Sequence, residues 1–199
     1  MAKRAYSIQL IDSHTQDYRA REIYEMVARL AGQAGLPAVP EVGVYESAEP
    51  NAFATGPSKR KSLVAFSSGL LAAMDRQQVE AVAAHEINHI ANGDMVTMTL
   101  LTGIVNALVM FMARIVASVV DNFLRDDEGG GGLGFFGYIM VVMLLETVFM
   151  LLASIPLAAF SRWREYRADA GAARLTSPRA MASALGRLGE MMNIPVQKD

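Results

Sequence analysis

The sequence predicts a mainly α-helical fold that carries a small antiparallel β-sheet and is interrupted by a transmembrane helical hairpin. The hairpin is indicated by two apolar stretches, residues 97–120 and 135–160, each longer than the roughly 20 residues that a spanning helix needs. The composition agrees, since 52% of the 199 residues are hydrophobic and the mean hydropathy is +0.24, both high for a soluble domain. The sheet is indicated by short β-branched and aromatic runs within residues 41–71.

The charge balance and the cysteine count narrow the classes of function. The formal net charge is -2 and the isoelectric point is about 5.9, without the basic face that a nucleic-acid-binding protein normally has. The chain contains no cysteine, which excludes a disulfide framework and a thiolate metal site. Any zinc must therefore be held by histidine and carboxylate, and we expect no nucleic-acid partner.

The first part of the chain is expected to form one amphipathic helix followed by strands. Apolar residues recur at helical spacing over residues 16–35, and Gly35 and Pro37 provide a stop signal. The runs EVGVYES, NAFATG and SLVAFSSGLL follow, separated by Pro, Gly and Ser, which predicts about three strands. The stretch GPSKRK between the last two runs is expected to be an exposed turn.

The next segment carries strong signals for the two ends of a helix. Asp75 can cap the N-terminus, and Gln78 three residues later can reach back to form a capping box. Asn92 and Gly93 supply the end. We therefore expect a helix that contains the pentapeptide HEINH at residues 85–89.

HEINH is the strongest chemical signal in the sequence. In a helix, His85 and His89 lie at i and i+4 on one face, so both imidazoles can bind one metal ion while Glu86 stands beside it. The bare pattern also occurs by chance, and the alternative is an ordinary polar helix face. The uncharged flanking residues favour an active-site helix packed between two halves of a protease.

The third ligand must come from elsewhere in the chain. A catalytic zinc site needs three protein ligands and one open position, and two His with one Glu is a known set. The hairpin would return the segment SRWREYRAD to the HEINH helix, which makes Glu165 the candidate, with Asp169 at i+4 accepting a hydrogen bond from a ligating imidazole. The alternative is an exposed charged face on which both acids pair with Arg162, Arg164 and Arg167.

Other residues fit the third-ligand role less well. A further histidine six residues after His89 is excluded, because that position is Met95. Asp94 is expected to cap the next helix, and Glu80 lies about 140° around an ideal helix from His85. His14 lies in a loop-like opening with no carboxylate partner foreseen. Glu165 is therefore preferred.

The acidic, Gly-rich stretch at residues 121–134 predicts a loop between the two spans. The chain is thereby divided into residues 1–96, the hairpin at 97–160 and residues 161–199. The first and third parts are expected to form the two halves of the catalytic domain.

Two charged residues lie inside the spans, where hydrocarbon makes an unpaired charge costly. Arg114 and Glu146 either pair with each other, or Arg114 reaches the loop side while Glu146 faces another helix. Orientation follows from the basic residues: the loop holds Arg125, whereas five arginines follow the second span. By the positive-inside rule both ends of the hairpin, and with them HEINH and Glu165, face the cytoplasm.

Several motifs in order, EPNAFATG, HEINHIANGDM, the hydrophobic hairpin and SRWREYRADAGAA, resemble the HtpX-type membrane metalloproteases, relatives of the CAAX prenyl endopeptidases. The resemblance covers nearly the whole chain. It implies a gluzincin-like, zinc-dependent endopeptidase of the bacterial inner membrane that faces the cytosol and acts on damaged or misfolded membrane proteins in quality control. Family members usually carry two further N-terminal transmembrane helices and a longer C-terminal extension, so a truncated form is expected.

The resemblance also implies roles for individual residues. His85, His89 and Glu165 fall on the family's zinc ligands for one Zn2+ per chain, Glu86 on its catalytic glutamate and Asp169 on the acidic residue that follows the third ligand. Glu86 would then take the proton of the attacking water and pass it to the leaving amine.

Residues further from HEINH are expected to meet the substrate. Asn51, Ala52, Phe53 and Ala54 match a segment thought to line the family's cleft, where they would pair with a polypeptide substrate; the alternative is a plain edge strand. A second group that stabilises the developing oxyanion is expected from electrostatics. Asn51, Tyr166 and Arg167 are unranked candidates for it.

Two other classes of protein remain open at this point. A catalytically inactive membrane adaptor could bind zinc for structure alone, although such a site is usually closed by four protein ligands. A periplasmic zinc-binding protein would require the opposite orientation in the bilayer. The expected partners are polypeptides and the lipid bilayer.

Overall fold

The structure is a computed structural model that describes residues 7–125 and 131–191. The elements in chain order are β1 Gln9–Ile11, α1 Tyr18–Gln33, β2 Glu41–Tyr45, β3 Ala52–Ser58, β4 Lys61–Ser67, α2 Ser68–Ala73, α3 Arg76–Asn92, α4 Asp94–Phe123, α5 Gly134–Leu175 and α6 Pro178–Met191. The chain forms two compact units. One comprises the residues up to Thr97 and those from Arg164 onward, and the other comprises Met98–Trp163.

The sheet has four strands in the order β1-β2-β4-β3 and is mixed, whereas the sequence analysis expected a purely antiparallel sheet. The β1–β2 and β3–β4 pairs are antiparallel, but β2 and β4 are parallel. Strands β3 and β4 form a tight antiparallel hairpin in which β4, and not β3, lies next to β2. As the returning strand of the hairpin, β4 runs in the same direction as β2. Strand β1 was not foreseen, since its three residues are too few to display an alternating pattern.

The core of this unit is formed where α1 and α3 pack with the sheet. Strand β4 is buried along nearly its whole length, as is typical of a strand covered on both faces. Helix α3 contributes Ala81, Ala83, Ala84, Ile87 and Ile90, all without measurable exposure. The helix that carries HEINH is therefore a central element of the core.

Both ends of α3 confirm the signals in the sequence. Asp75 accepts a hydrogen bond from the backbone N–H of Gln78 at 2.9 Å, and the Gln78 side chain accepts one from the backbone N–H of Asp75 at 3.1 Å. At the other end Gly93 adopts a left-handed conformation with φ of 76°. That conformation ends α3 and lets α4 begin at the next residue.

The unit Met98–Trp163 consists of the apolar parts of α4 and α5. These helices have 30 and 42 residues, and windows of mean hydropathy 2.0 and 2.3 make both long and apolar enough to cross a membrane. Only 17% and 0% of those windows are buried, which is unlike the core helices of a soluble protein. Among the ion pairs of the described residues, none joins Arg114 to Glu146.

The left-handed conformation at the end of α3 can be tested by substitution. We expect Gly93→Ala to lower the free energy of unfolding by about 1–2 kcal/mol, because a Cβ is strained in that conformation. The nearest atom to a Cβ added at this position, the Lys59 Cε, is 3.6 Å away, so the cost is conformational and not a clash. Denaturant unfolding in detergent measures it.

Gly186 provides the matched control. It lies inside α6 with no atom within 4 Å of an added Cβ, so Gly186→Ala should stabilise the protein by about 0.5–1 kcal/mol. An unchanged unfolding free energy for Gly93→Ala would contradict the assigned role of Gly93.

Candidate metal centre

Three donor atoms converge beside α3. The Nε2 atoms of His85 and His89 lie 3.0 Å apart, and the Oε2 atom of Glu165 lies 3.3 Å from the first and 3.4 Å from the second. Helix α3 places the histidines one turn apart, and the C-terminal part of α5 brings in the glutamate. Ligands of a tetrahedral ion with bonds of about 2.0–2.1 Å lie about 3.3 Å from one another, so the spacing fits a zinc-sized ion.

The protonation pattern of the histidines also fits a cation. His89 Nδ1 lies 2.7 Å from Asp94 Oδ2, and the carboxylate can only accept, so Nδ1 carries the proton and Nε2 presents its lone pair. Burial, followed by the neighbouring His89, lowers the pKa of His85 in spite of the nearby carboxylates. Neutral imidazole is the form that binds metals. The lone pair of His89 Nε2 therefore faces the point where His85 Nε2 and Glu165 Oε2 also converge.

Asp94 is a site residue that the sequence analysis did not foresee. It was considered as a cap of the next helix, but its side chain is only 7% exposed and contacts His89. The turn at Gly93 makes this contact possible, because it brings a residue five positions after His89 back towards the ring. The only signal in the sequence for this contact was that an acidic residue directly follows the glycine that ends the helix.

Asp169 occupies the corresponding place at the other histidine. Its Oδ1 lies 2.8 Å from His85 Nδ1, although the ring is not oriented for a hydrogen bond and both atoms are buried without a hydrogen-bond partner. The separation is that of an ion pair or a strong polar contact. Each histidine thus has a carboxylate on its Nδ1 side.

Glu165 is oriented by its neighbour in sequence. Arg164 donates to Oε1 through Nη2 at 2.7 Å and through Nε at 3.2 Å, which leaves Oε2 facing the imidazoles. Partial burial opposes ionisation, but the bond from Arg164 and the two histidines together lower the pKa of Glu165. Glu165 therefore pairs with an arginine, which the sequence offered as its alternative role, and it also approaches both histidines.

Glu86 lies beside the convergence point. Its surroundings exclude enough water that burial raises its pKa to about 7, against the opposing effects of His89 and of the Ala54 backbone amide. A carboxyl group with a pKa near neutrality can both accept and release a proton, which is the property required of a general base and acid.

The segment expected to meet a substrate lies close to this centre. Asn51 and Ala52 line a cavity together with His85 and Glu86. Phe53 packs against the ring of Tyr45 at a centroid distance of 5.8 Å. Strand β3 pairs with β4 on one side and ends the sheet order, so its other edge is open among the described strands.

The other residues that the sequence suggested for the site are exposed or have other partners. Glu80 pairs with Arg29 at 2.7 Å, and the backbone N–H of His14 bonds to Asp12, so neither takes part in the cluster. Tyr166 is 72% exposed. Arg167 donates to Asn92 Oδ1 at 2.7 Å, at the end of α3.

Comparison with known proteins places these features in a family. The model of peptidase family M48 matches residues 17–192. Protease HtpX of Shewanella pealeana is 53% identical over 189 residues, which are 94% of this chain and 65% of the relative. Protease HtpX of Shewanella halifaxensis matches with the same identity and coverage. The chain thus spans about 65% of the length of these curated relatives.

A solved structure shares the fold. The crystal structure of S. mikatae Ste24p superposes with a TM-score of 0.64 at 19% sequence identity, covering 96% of this chain and 46% of the other. At that identity the likeness concerns the fold alone. The family match extends over strands β2 to β4, the HEINH helix, both apolar helices and the segment of Glu165, and on this basis the chain belongs to peptidase family M48.

Proposed function

We propose that the protein is a membrane-bound, zinc-dependent endopeptidase with one zinc ion per chain held by His85, His89 and Glu165. The observation that carries the proposal is the set of three donor atoms within 3.0 to 3.4 Å of one another, with Glu86 beside them. Within the described residues this is the one group of three or more candidate ligand side chains close enough to hold a metal ion.

The residues around the centre have separable tasks in peptide hydrolysis. Bound zinc supplies a Lewis acid that polarises the scissile carbonyl and acidifies water. Glu86 accepts the proton of the attacking water at its carboxylate and delivers it to the leaving amine. Burial raises the pKa of Glu86 to about 7, so its carboxylate takes up a proton more readily than an exposed one.

The neighbouring carboxylates and Arg164 keep the ligands in position. Asp94 fixes the tautomer and the ring plane of His89 through Nδ1, and Asp169 is placed to do the same for His85. Arg164 holds one oxygen of Glu165, so that the other faces the imidazoles.

The substrate backbone is proposed to lie along the open edge of β3. Asn51, Ala52, Phe53 and Ala54 lead along this edge past Glu86, and an extended peptide can add to it as a further strand. Asn51 is the only one of the three proposed oxyanion-stabilising candidates that lines the cavity with Glu86.

The unit Met98–Trp163 is proposed to be a transmembrane hairpin that divides the catalytic domain into residues 1–96 and 161–199. Its two apolar helices support membrane insertion, and the distribution of arginines supports a cytoplasmic active site in the bacterial inner membrane. The proposed substrates are damaged or misfolded membrane proteins. An inactive zinc-binding adaptor is disfavoured because a structural site would be closed by a fourth ligand.

Substitution of Glu86 tests the proton-transfer step. We expect Glu86→Gln to keep its zinc and to lower cleavage of an unfolded membrane-protein substrate by about 10²–10⁴-fold, the usual contribution of a general base. Glu80→Gln on the same helix, outside the centre, should leave cleavage unchanged. Undiminished cleavage by Glu86→Gln would exclude Glu86 as the base.

Substitution of Glu165 tests the third ligand. Removal of one of three ligands should lower the zinc content of purified Glu165→Ala well below one ion per chain, because two imidazoles alone bind weakly. Metal analysis after dialysis against a mild chelator measures this, with Glu80→Ala as the control. Full zinc occupancy in Glu165→Ala would show that another group completes the site.

Reporter fusions test the orientation of the hairpin. A reporter fused after Asp199 is expected to be cytoplasmic, and one inserted after Arg125 in the loop is expected on the opposite side of the membrane. An extracytoplasmic signal from the Asp199 fusion would reverse the proposed orientation.

A further inference from the structure

The turn between β3 and β4 carries three consecutive basic residues, Lys59, Arg60 and Lys61, here called the basic tip. All three are exposed, and in the described part of the chain none of them forms an ion pair with a carboxylate. The sequence analysis expected an exposed turn here and gave it no task. Three cations on one turn form a concentrated positive charge that attracts an anionic surface.

The basic tip has a defined shape and is attached to the end of α3. Gly56 has a φ of 148° and lies so close to the Lys61 carbonyl that a Cβ at this position would overlap it. The Lys59 ammonium group donates to the Ala91 carbonyl in the last turn of α3. A Cβ added at Gly93 would lie 3.6 Å from the Lys59 Cε atom. The basic tip therefore lies beside the residue that ends α3.

This attachment brings the basic tip close to the start of the first apolar helix. Helix α4 begins at Asp94, directly after Gly93, and its apolar stretch begins at residue 97. At 1.5 Å per residue, that stretch begins only about 5 Å of helix beyond Asp94. The headgroup region on each side of a bilayer is about 5–8 Å thick. When α4 spans a membrane, the length of the chain therefore keeps Lys59 within reach of the headgroups.

The basic surface at this end of α3 is assembled by the fold and not by the local sequence. Lys61 precedes the apolar stretch by 36 residues, whereas the charges that orient a span are counted within about 15–20 residues of its ends. Arg167, which is also exposed, comes from α5 and donates to Asn92 Oδ1 at 2.7 Å. Basic residues from two distant segments thus meet where the C-terminal carbonyl groups of α3 favour positive charge.

We propose that the basic tip binds the headgroups of anionic phospholipids at the surface of the membrane that α4 enters. Lysine and arginine side chains close to such a surface are attracted by its negative potential. Because the turn is already attached to α3, little conformational freedom is lost on binding. The inference rests on the proposed transmembrane hairpin and goes beyond it by naming the lipid class and the residues that meet it.

The contact has a consequence for the proposed substrate edge. Strand β3 ends at Ser58, next to the basic tip, and begins at Ala52, which lines the cavity beside Glu86. Seven extended residues span about 20 Å. With the basic tip bound to headgroups, β3 leads from the membrane surface to the candidate metal centre, so a segment that leaves the bilayer can pair with it at once.

The experiment follows the basic tip with a single fluorophore, because the chain has no cysteine of its own. Pro57→Cys, at an exposed position beside the tip, is labelled in the full chain in nanodiscs of phosphatidylcholine, alone or with about 30% phosphatidylglycerol. Quenching by acrylamide, an uncharged solute, measures the exposure of the label. We expect the anionic lipid to lower the quenching constant by about twofold or more. Salt at about 1 M, where the Debye length is about 3 Å, should reverse the change.

Charge removal at the basic tip should abolish the difference between the two lipids. The tip variant combines Arg60→Gln with Lys61→Gln and keeps Lys59, because that side chain contacts α3. The matched control combines Arg19→Gln with Arg179→Gln, which removes the same charge from exposed positions outside the tip and should preserve the difference. The unfolding midpoint of each variant shows that the fold is retained.

The outcomes separate the lipid contact from the proposed function. Equal quenching in both lipids, or a difference that the control variant loses as fully as the tip variant, overturns the lipid contact. The peptidase function then stands, because no step of the measurement uses cleavage. Shielding of the label by inorganic phosphate in pure phosphatidylcholine would assign the tip to a soluble anion and overturn the lipid as its partner. Failure of the protein to insert into either nanodisc overturns the proposed hairpin and the lipid contact with it.

Discussion

The convergence of three lone-pair donors on one point governs the organisation of this domain. Two imidazole nitrogens 3.0 Å apart either share a proton in a hydrogen bond or, with both lone pairs facing each other, repel until a cation lies between them. A metal centre here would require the protein to hold the rings together in the second arrangement. It does so by making α3 a central helix of the core, with Ala83, Ala84 and Ile87 fully buried around the histidines. Free energy from apolar burial thus offsets the electrostatic cost of preorganising the ligands.

The parts of the site that could be predicted from the sequence are those with local signals. The positions of His85, His89 and Glu86 follow from helical periodicity, and the ends of α3 follow from Asp75 and Gly93. The contact of Asp94 with His89 could not be foreseen, because it depends on the exact path of the chain through the turn. Likewise, β2 has a parallel neighbour only because β4, and not β3, lies next to it in the sheet. The sequence carries no signal for that order. The cavity beside His85 and Glu86 is lined both by residues 49–52 and by residues of α6. These segments are so far apart in sequence that periodicity carries no information about their contact.

Support for the two histidines comes from different parts of the chain. Asp94 lies five residues after His89, and its contact depends on one left-handed residue between them. Asp169, by contrast, reaches His85 from the helix that also carries Glu165. The spacing of four residues between Glu165 and Asp169 places both acids on one helix face. A single helix therefore carries one proposed ligand and the carboxylate beside another, so a shift of α5 along its axis would disturb both.

The order of the proposed ligands along the chain has a consequence for biosynthesis. Both histidines precede the two apolar helices, and Glu165 lies after the apolar part of the second one. A nascent chain therefore holds only part of the candidate centre until the apolar part of the second helix has been made. The three donor atoms can come together only late in synthesis, when both apolar helices have left the ribosome.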